Sequence, residues 1–163
     1  MAKIRGVGGG RRARVLFGLD AGGAYHLGPA LEVVGGALAH LLGRAGQHLN
    51  ALALFMRSLK KFDVLPADTL VLPSHGRPFK GLHTRTAQLL QHHEERMQEV
   101  LDACRETPGS AHDMLKVIFK RPLDFHQTTF AIGESVAHLH ALWLAGKMHR
   151  TKDAQGIWRF KTV

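Results

Sequence analysis

From Asn50 onward the apolar residues fall at helical spacing, and the breaks between the runs carry turn chemistry. In "NALALFMRSLKKF" Leu52, Phe55, Met56 and Leu59 make one stripe, with Asn50 where an N-cap belongs, which predicts a helix over 50–62. The apolar "LVL" that follows predicts a short strand, Thr69–Leu72, stopped by Pro73. The strongest pattern comes next. Leu82, Thr86, Leu89, Leu90, His93, Met97, Val100, Leu101 and Cys104 lie along one helical face, and "TPG" closes it. Ser110 with Asp113 three residues later reads as a capping box with Asp in place of Glu, opening a helix across "SAHDMLKVIF" that "RPLD" breaks. Asp124 and Gln127 repeat the box, with Phe130, Ala131, Val136, Leu139, Leu142 and Trp143 behind them and Gly146 as a C-cap. The tail "KMHRTKDAQGIWRFKTV" reads as two short strands around the turn "DAQG".

Helix, helix, helix, two-stranded ribbon is the element order of a winged helix. The expected fold class is therefore mainly α with small β, and 82–163 is expected to form a winged-helix-like C-terminal domain. Residues 1–49 have a different character. They hold 12 of the 18 glycines, six Lys or Arg and only Asp20 and Glu32 as acids, with no clean period of 2 or 3.6. This Gly/Ala/Arg-rich head reads poorly as a folded unit. The chain thus divides into a head, 1–49, an intermediate segment, 50–81, and the tail domain, 82–163.

Composition narrows the possible partners. A chain of 163 residues that is 45% hydrophobic can build one domain or two small ones. A net charge of +9 suits an anionic partner such as nucleic acid. Against DNA readout, "DFHQTTFAIGESVAHLHALW" carries no Lys or Arg for phosphate contacts, so structural or interface use of that helix is the favoured reading. The single cysteine, Cys104, rules out an internal disulfide and points to a reducing, cytoplasmic setting. No run of 18 apolar residues is present, and glycines 8–10 interrupt the basic N-terminus, so neither a membrane partner nor a signal peptide is expected.

The candidate chemistry centres on His75, in "LVLPSHGRPFKGLH". A strand that ends in a Pro-x-His-Gly corner places an imidazole at a sheet edge, with Pro73, Gly76 and Pro78 restricting the backbone path. Neutral imidazole is the commonest metal ligand, yet a turn histidine with no ligand is the commoner outcome of such spacing. The rest of the sequence offers His75 no evident partner. His92 and His93 are about 100° apart on a helix, and His138 and His140 about 200°, so each pair diverges. HExxH, CxxC and Walker patterns are lacking. "HHEER" mixes signs at helical spacing and reads as a solvated or interface face.

Taken in order, "LPADTLVLPSHGRPFKGLHTRTAQLLQHHEERMQEVLDAC" and "RPLDFHQTTFAIGESVAHLHALWLAGKMHR" resemble the C-terminal part of metallo-β-lactamase-fold hydrolases that carry a winged-helix-like domain. The resemblance covers about Asn50 to Phe160. It implies that 50–81 is a remnant of an αββα sandwich and that the intact family holds a divalent metal pair, zinc above all. It also implies that a metal-bound hydroxide performs hydrolysis. His75 matches the last metal ligand at the family's "PGHG"-like corner, with Ser74 in place of its first Gly. The family's His-x-His-x-Asp-His signature has no match in this sequence. The chain is therefore expected to be a C-terminal fragment, inactive alone and holding no metal stably, because one imidazole binds a divalent ion weakly. The head is expected to be either an out-of-frame product or a lineage-specific extension. With most of the sandwich missing, Phe55, Leu59, Leu70 and Leu72 are expected to lie open and to drive self-association.

Overall fold

The computed structural model describes residues 50–73 and 77–163. The expectations for the head, 1–49, and for the corner residue His75 fall outside the described residues. Helix α1, Ala51–Leu59, runs into one 3₁₀ turn, Lys60–Phe62. Three further helices follow: α2, Leu82–Ala103; α3, Ala111–Ile118; and α4, Phe125–Leu144. Strands β1, Met148–Lys152, and β2, Trp158–Thr162, pair antiparallel from Met148↔Thr162 to Lys152↔Trp158. The described part is thus mainly helical with one small sheet. None of its helices is long and apolar enough to cross a membrane.

The helix ends follow the polar residues read as caps. The Asn50 side chain accepts from the Ala53 N–H at 2.9 Å. In the Ser110 box, the Asp113 carboxylate accepts the Ser110 N–H at 2.8 Å while the Ser110 hydroxyl accepts the Asp113 N–H at 3.3 Å. In the second box, Asp124 accepts the Gln127 N–H at 2.8 Å. Helix α4 closes with a paired set of bonds, Lys147 N–H to the Leu142 carbonyl and Gly146 N–H to the Trp143 carbonyl, both 3.0 Å. This set requires a left-handed residue, and Gly146 supplies it at φ +71°.

The strand expected over Thr69–Leu72 is not formed. It is reduced to a single antiparallel bridge, Val71↔Phe79, with reciprocal N–H···O bonds of 2.8 and 3.0 Å. Backbone chemistry explains why no ladder extends from it. On the inner side the next bonded pair would be 73 with 77, and Pro73 has no N–H to give it. On the outer side Thr69 bonds back to the Pro66 carbonyl, and Gly81, at φ +93°, turns the chain into α2.

The intermediate segment is not left open as expected. Leu59 is 1% exposed and packs with Leu65, Val71 and Leu82, with Phe55, Phe79 and Leu89 around them. Leu52 sits against Ala137 and Ala141 of α4. Leu70 and Leu72 are half-buried. A larger cluster unites α2, α3, α4 and the ribbon through Val100, Met114, Leu139, Leu142 and Phe160. The ribbon is tied down by a second bridge, Gly109↔Phe160, and by the Thr162 hydroxyl donating to the Leu101 carbonyl at 2.6 Å.

Candidate functional site

The bridge between Val71 and Phe79 fixes the backbone before residues 74–76 and after them against the small apolar cluster. Its outgoing side leads directly into the start of α2 at Leu82, which is fully buried. His75, the candidate metal ligand, lies outside the described residues. Among those described, no three His, Cys, Asp or Glu side chains gather as a metal-holding group. The described residues therefore do not fit a metal centre, and any metal held at the corner needs ligands from beyond them.

The structure does assemble a histidine pair that sequence spacing did not reveal. His93 of α2 and His138 of α4 are both fully buried, and His93 Nδ1 lies 3.3 Å from His138 Nε2. The backbone fixes the tautomers. The Glu134 carbonyl, which can only accept, lies 2.9 Å from His138 Nδ1, so that nitrogen carries the proton. His138 Nε2 is then a bare acceptor, and His93 Nδ1–H donates to it. This leaves His93 Nε2 buried as a lone pair with no partner among the described residues; Glu134 Oε1 is buried in the same condition.

Burial disfavours charge on all three groups. Desolvation, then the neighbouring His138 and His92, lower His93 to about 3. Desolvation lowers His138 to about 4, against a partial rise from the Glu134 carbonyl. Glu134 is pushed up to about 7 by burial, with Arg96 pulling the other way. At neutral pH this is an uncharged histidine pair beside a carboxyl that is partly protonated. Both rings are held in place and their protons are assigned, which suits a structural hydrogen-bonded joint between α2 and α4 better than proton transfer to an outside substrate.

"HHEER" is thus not wholly the solvated or interface face it was expected to be. Glu94 and Glu95 are exposed, but His93 is core. The divergence expected of His138 and His140 holds: His138 meets α2, whereas His140 lies 5.2 Å from the Trp143 ring. His93 falls on the apolar stripe of α2, so its burial was legible. Its pairing with a residue 45 positions away was not.

These features define a helical domain with a C-terminal ribbon. Residues 97–163 match the family described as metallo-beta-lactamase-like, C-terminal domain. The structure is also similar to that of a beta-lactamase domain protein from Burkholderia ambifaria, with 46% identity and a TM-score of 0.70 over 74% of this chain and 36% of that one. A metallo-beta-lactamase family protein from Thermus thermophilus matches at 26% identity and a TM-score of 0.59, over 70% of this chain and 34% of that one. The chain spans about a third of the length of each of these two proteins.

Proposed function

We propose that residues 50–163 act as the C-terminal part of a metal-dependent hydrolase, in which 82–163 is a winged-helix-like domain and His75 is one ligand of a divalent metal, zinc foremost. The observation that carries this reading is the Val71–Phe79 bridge. It anchors the backbone on both sides of the Pro-Ser-His-Gly stretch, so the chain carrying His75 starts and ends at fixed points. The chain by itself holds metal weakly and does not turn over substrate, because a bridging hydroxide needs a larger ligand set than one imidazole. Zinc titration calorimetry on the chain and on His75→Ala, with lactam, thioester and phosphodiester hydrolysis assays alongside, tests this. The expected result is weak binding that falls further in the variant, with no turnover by either protein. Zinc binding unchanged in the variant would remove His75 from the site, and turnover abolished by the substitution would overturn the inactivity.

A second reading, a basic module for nucleic acid, draws on the ribbon, where Lys147, Arg150, Lys152, Arg159 and Lys161 outnumber Asp153. Helix α4, which a major groove would receive, has no Lys or Arg from Phe125 to Leu144, and that weighs against it. A steep salt dependence of oligonucleotide binding would favour this reading.

A further inference from the structure

A cavity of about 640 Å³ opens between the start of α3, the middle of α4 and the ribbon. None of its described lining residues lies in 73–78, so it is separate from the stretch that carries His75. Its walls are mostly apolar. Ile132 and Val136 stand on the α4 side, and Ile157 and Trp158 on the ribbon side. The last two are 46% and 39% exposed, so much of their apolar surface is left for a ligand to cover.

The charged groups at the wall are already engaged within the protein. Arg159 donates through Nη1 to Asp113 at 2.9 Å and through Nε to Asp153 at 2.8 Å, so two carboxylates answer one guanidinium. Asp113 also accepts the Ser110 N–H and closes the capping box. Arg150 lies over two indoles, 3.6 Å from the Trp143 ring centre and 4.1 Å from that of Trp158, which commits its guanidinium face to aromatic surface. His140 also lines the cavity and adds no charge at neutral pH, because burial and then the nearby Arg150 lower its pKa from 6.5. A charged ligand would have to compete with these contacts for a partner while losing its own hydration, which is costly. An uncharged one gives up little hydration and gains by covering the apolar walls. Concave, mainly apolar walls with a few fixed polar groups are the usual makeup of a small-molecule site, and this volume lies within the usual range for one.

We propose that this cavity binds an uncharged, predominantly apolar small molecule, held between Ile132 and Val136 on one side and Ile157 and Trp158 on the other. Burial of apolar area drives the binding, and the pairing of Arg159 with two carboxylates discriminates against anions. The site is independent of the metal reading, which concerns His75 alone.

The test uses the full chain and two fluorescent probes of similar shape, the uncharged N-phenyl-1-naphthylamine and the anionic 8-anilinonaphthalene-1-sulfonate. The amine is expected to bind at least about tenfold more tightly, because the sulfonate loses hydration for no charge-assisted contact. Replacing both carboxylates, Asp113→Asn with Asp153→Asn, releases Arg159 and should raise the affinity of the sulfonate about tenfold while leaving that of the amine unchanged. Val136→Trp, which fills the cavity, should abolish binding of the amine, whereas Phe125→Ser, which removes an apolar side chain exposed elsewhere, should leave it unchanged. Two-dimensional NMR of the unsubstituted chain with the amine should shift signals of Ile132, Val136, Ile157 and Trp158, a readout that does not depend on any variant folding. A sulfonate that binds as tightly as the amine, a preference unmoved by the double carboxylate replacement, binding that survives Val136→Trp, or shifts that map elsewhere would each overturn the proposal.

Discussion

Glu134 is the residue whose chemistry most opposes its position. Its side chain is 4% exposed, one helical turn before His138, with Oε1 unpartnered among the described residues. Its pKa is raised from 4.5 to about 7, so the folded state binds more protons than the unfolded one between those values. Its contribution to stability is present below pH 4.5 and is lost as pH rises through 7. His93 and His138 work in the opposite direction. With folded values near 3 and 4 against 6.5 unfolded, their contribution is full above pH 6.5 and declines as pH falls. Between about pH 5 and 6 these two histidine protons, with those of His92 and His140, which burial also lowers, outnumber the one from the carboxyl, so stability should fall on acidification. Glu134→Gln should steepen that slope by about one proton. It should also raise stability at pH 8 by roughly 1–3 kcal/mol, since an uncompensated buried carboxylate is removed. Denaturant titrations from pH 8 to pH 5 on both proteins would check the sign and the slope. A parallel pair of curves would show that Glu134 is not the opposing group.

Among the elements, α3 depends most on its polar ends. It has only eight residues, short enough that tertiary contacts and caps must hold it. Its Ser110–Asp113 box also joins it to the ribbon, because Asp113 accepts from Arg159, which in turn donates to Asp153 at 2.8 Å. Ser110→Ala removes the hydroxyl that accepts the Asp113 N–H and donates to the carboxylate at 2.7 Å. The expected loss is about 1–2 kcal/mol, the upper part of the usual cap range, because the same substitution loosens the carboxylate that anchors Arg159. Thermal unfolding of the single variant, and of Ser110→Ala combined with Arg159→Ala, would show this coupling as a double loss smaller than the sum of the single losses.

At the scale of the whole molecule, α1 and the loop after it are part of the packing of the C-terminal helices. Leu52 covers Ala137 and Ala141, Phe55 meets the His93 ring edge-on at 5.6 Å, and Leu59 and Val71 close over Leu82. Of the apolar side chains named as the basis for self-association, Leu59 is satisfied within the chain, and half-buried Phe55, Leu70 and Leu72 remain as candidates. Removing residues 1–80 would uncover Leu82, His93, Ala137 and Ala141 together. At roughly 1.5–3 kcal/mol for each large buried apolar side chain, the shortened piece should be destabilised by several kcal/mol. It should also associate more than the full chain. Sedimentation velocity and thermal melts of both proteins at matched concentration would decide. A shortened piece as stable and monomeric as the full chain would show that α1 is dispensable to the core.

What the sequence determined by itself was local. Asn50, Ser110, Asp124 and Gly146 marked helix ends because capping is a contact between near neighbours, and the stripe from Leu82 to Cys104 marked a buried face because helical period is a property of adjacent turns. The order of elements and the resemblance carried by the proline-rich corner were legible for the same reason. The strand expected at Thr69–Leu72 was misread because an apolar run says nothing of whether a ladder partner exists, and Pro73 on one side with the turned-back Thr69 and left-handed Gly81 on the other leave room for only one bridge. The histidine pair, the neutral state of its rings and the raised Glu134 were decided only by tertiary structure. Each depends on side chains brought together from different elements, such as His93 on α2 and His138 on α4, and on the desolvation that packing imposes. Spacing along the chain measures neither.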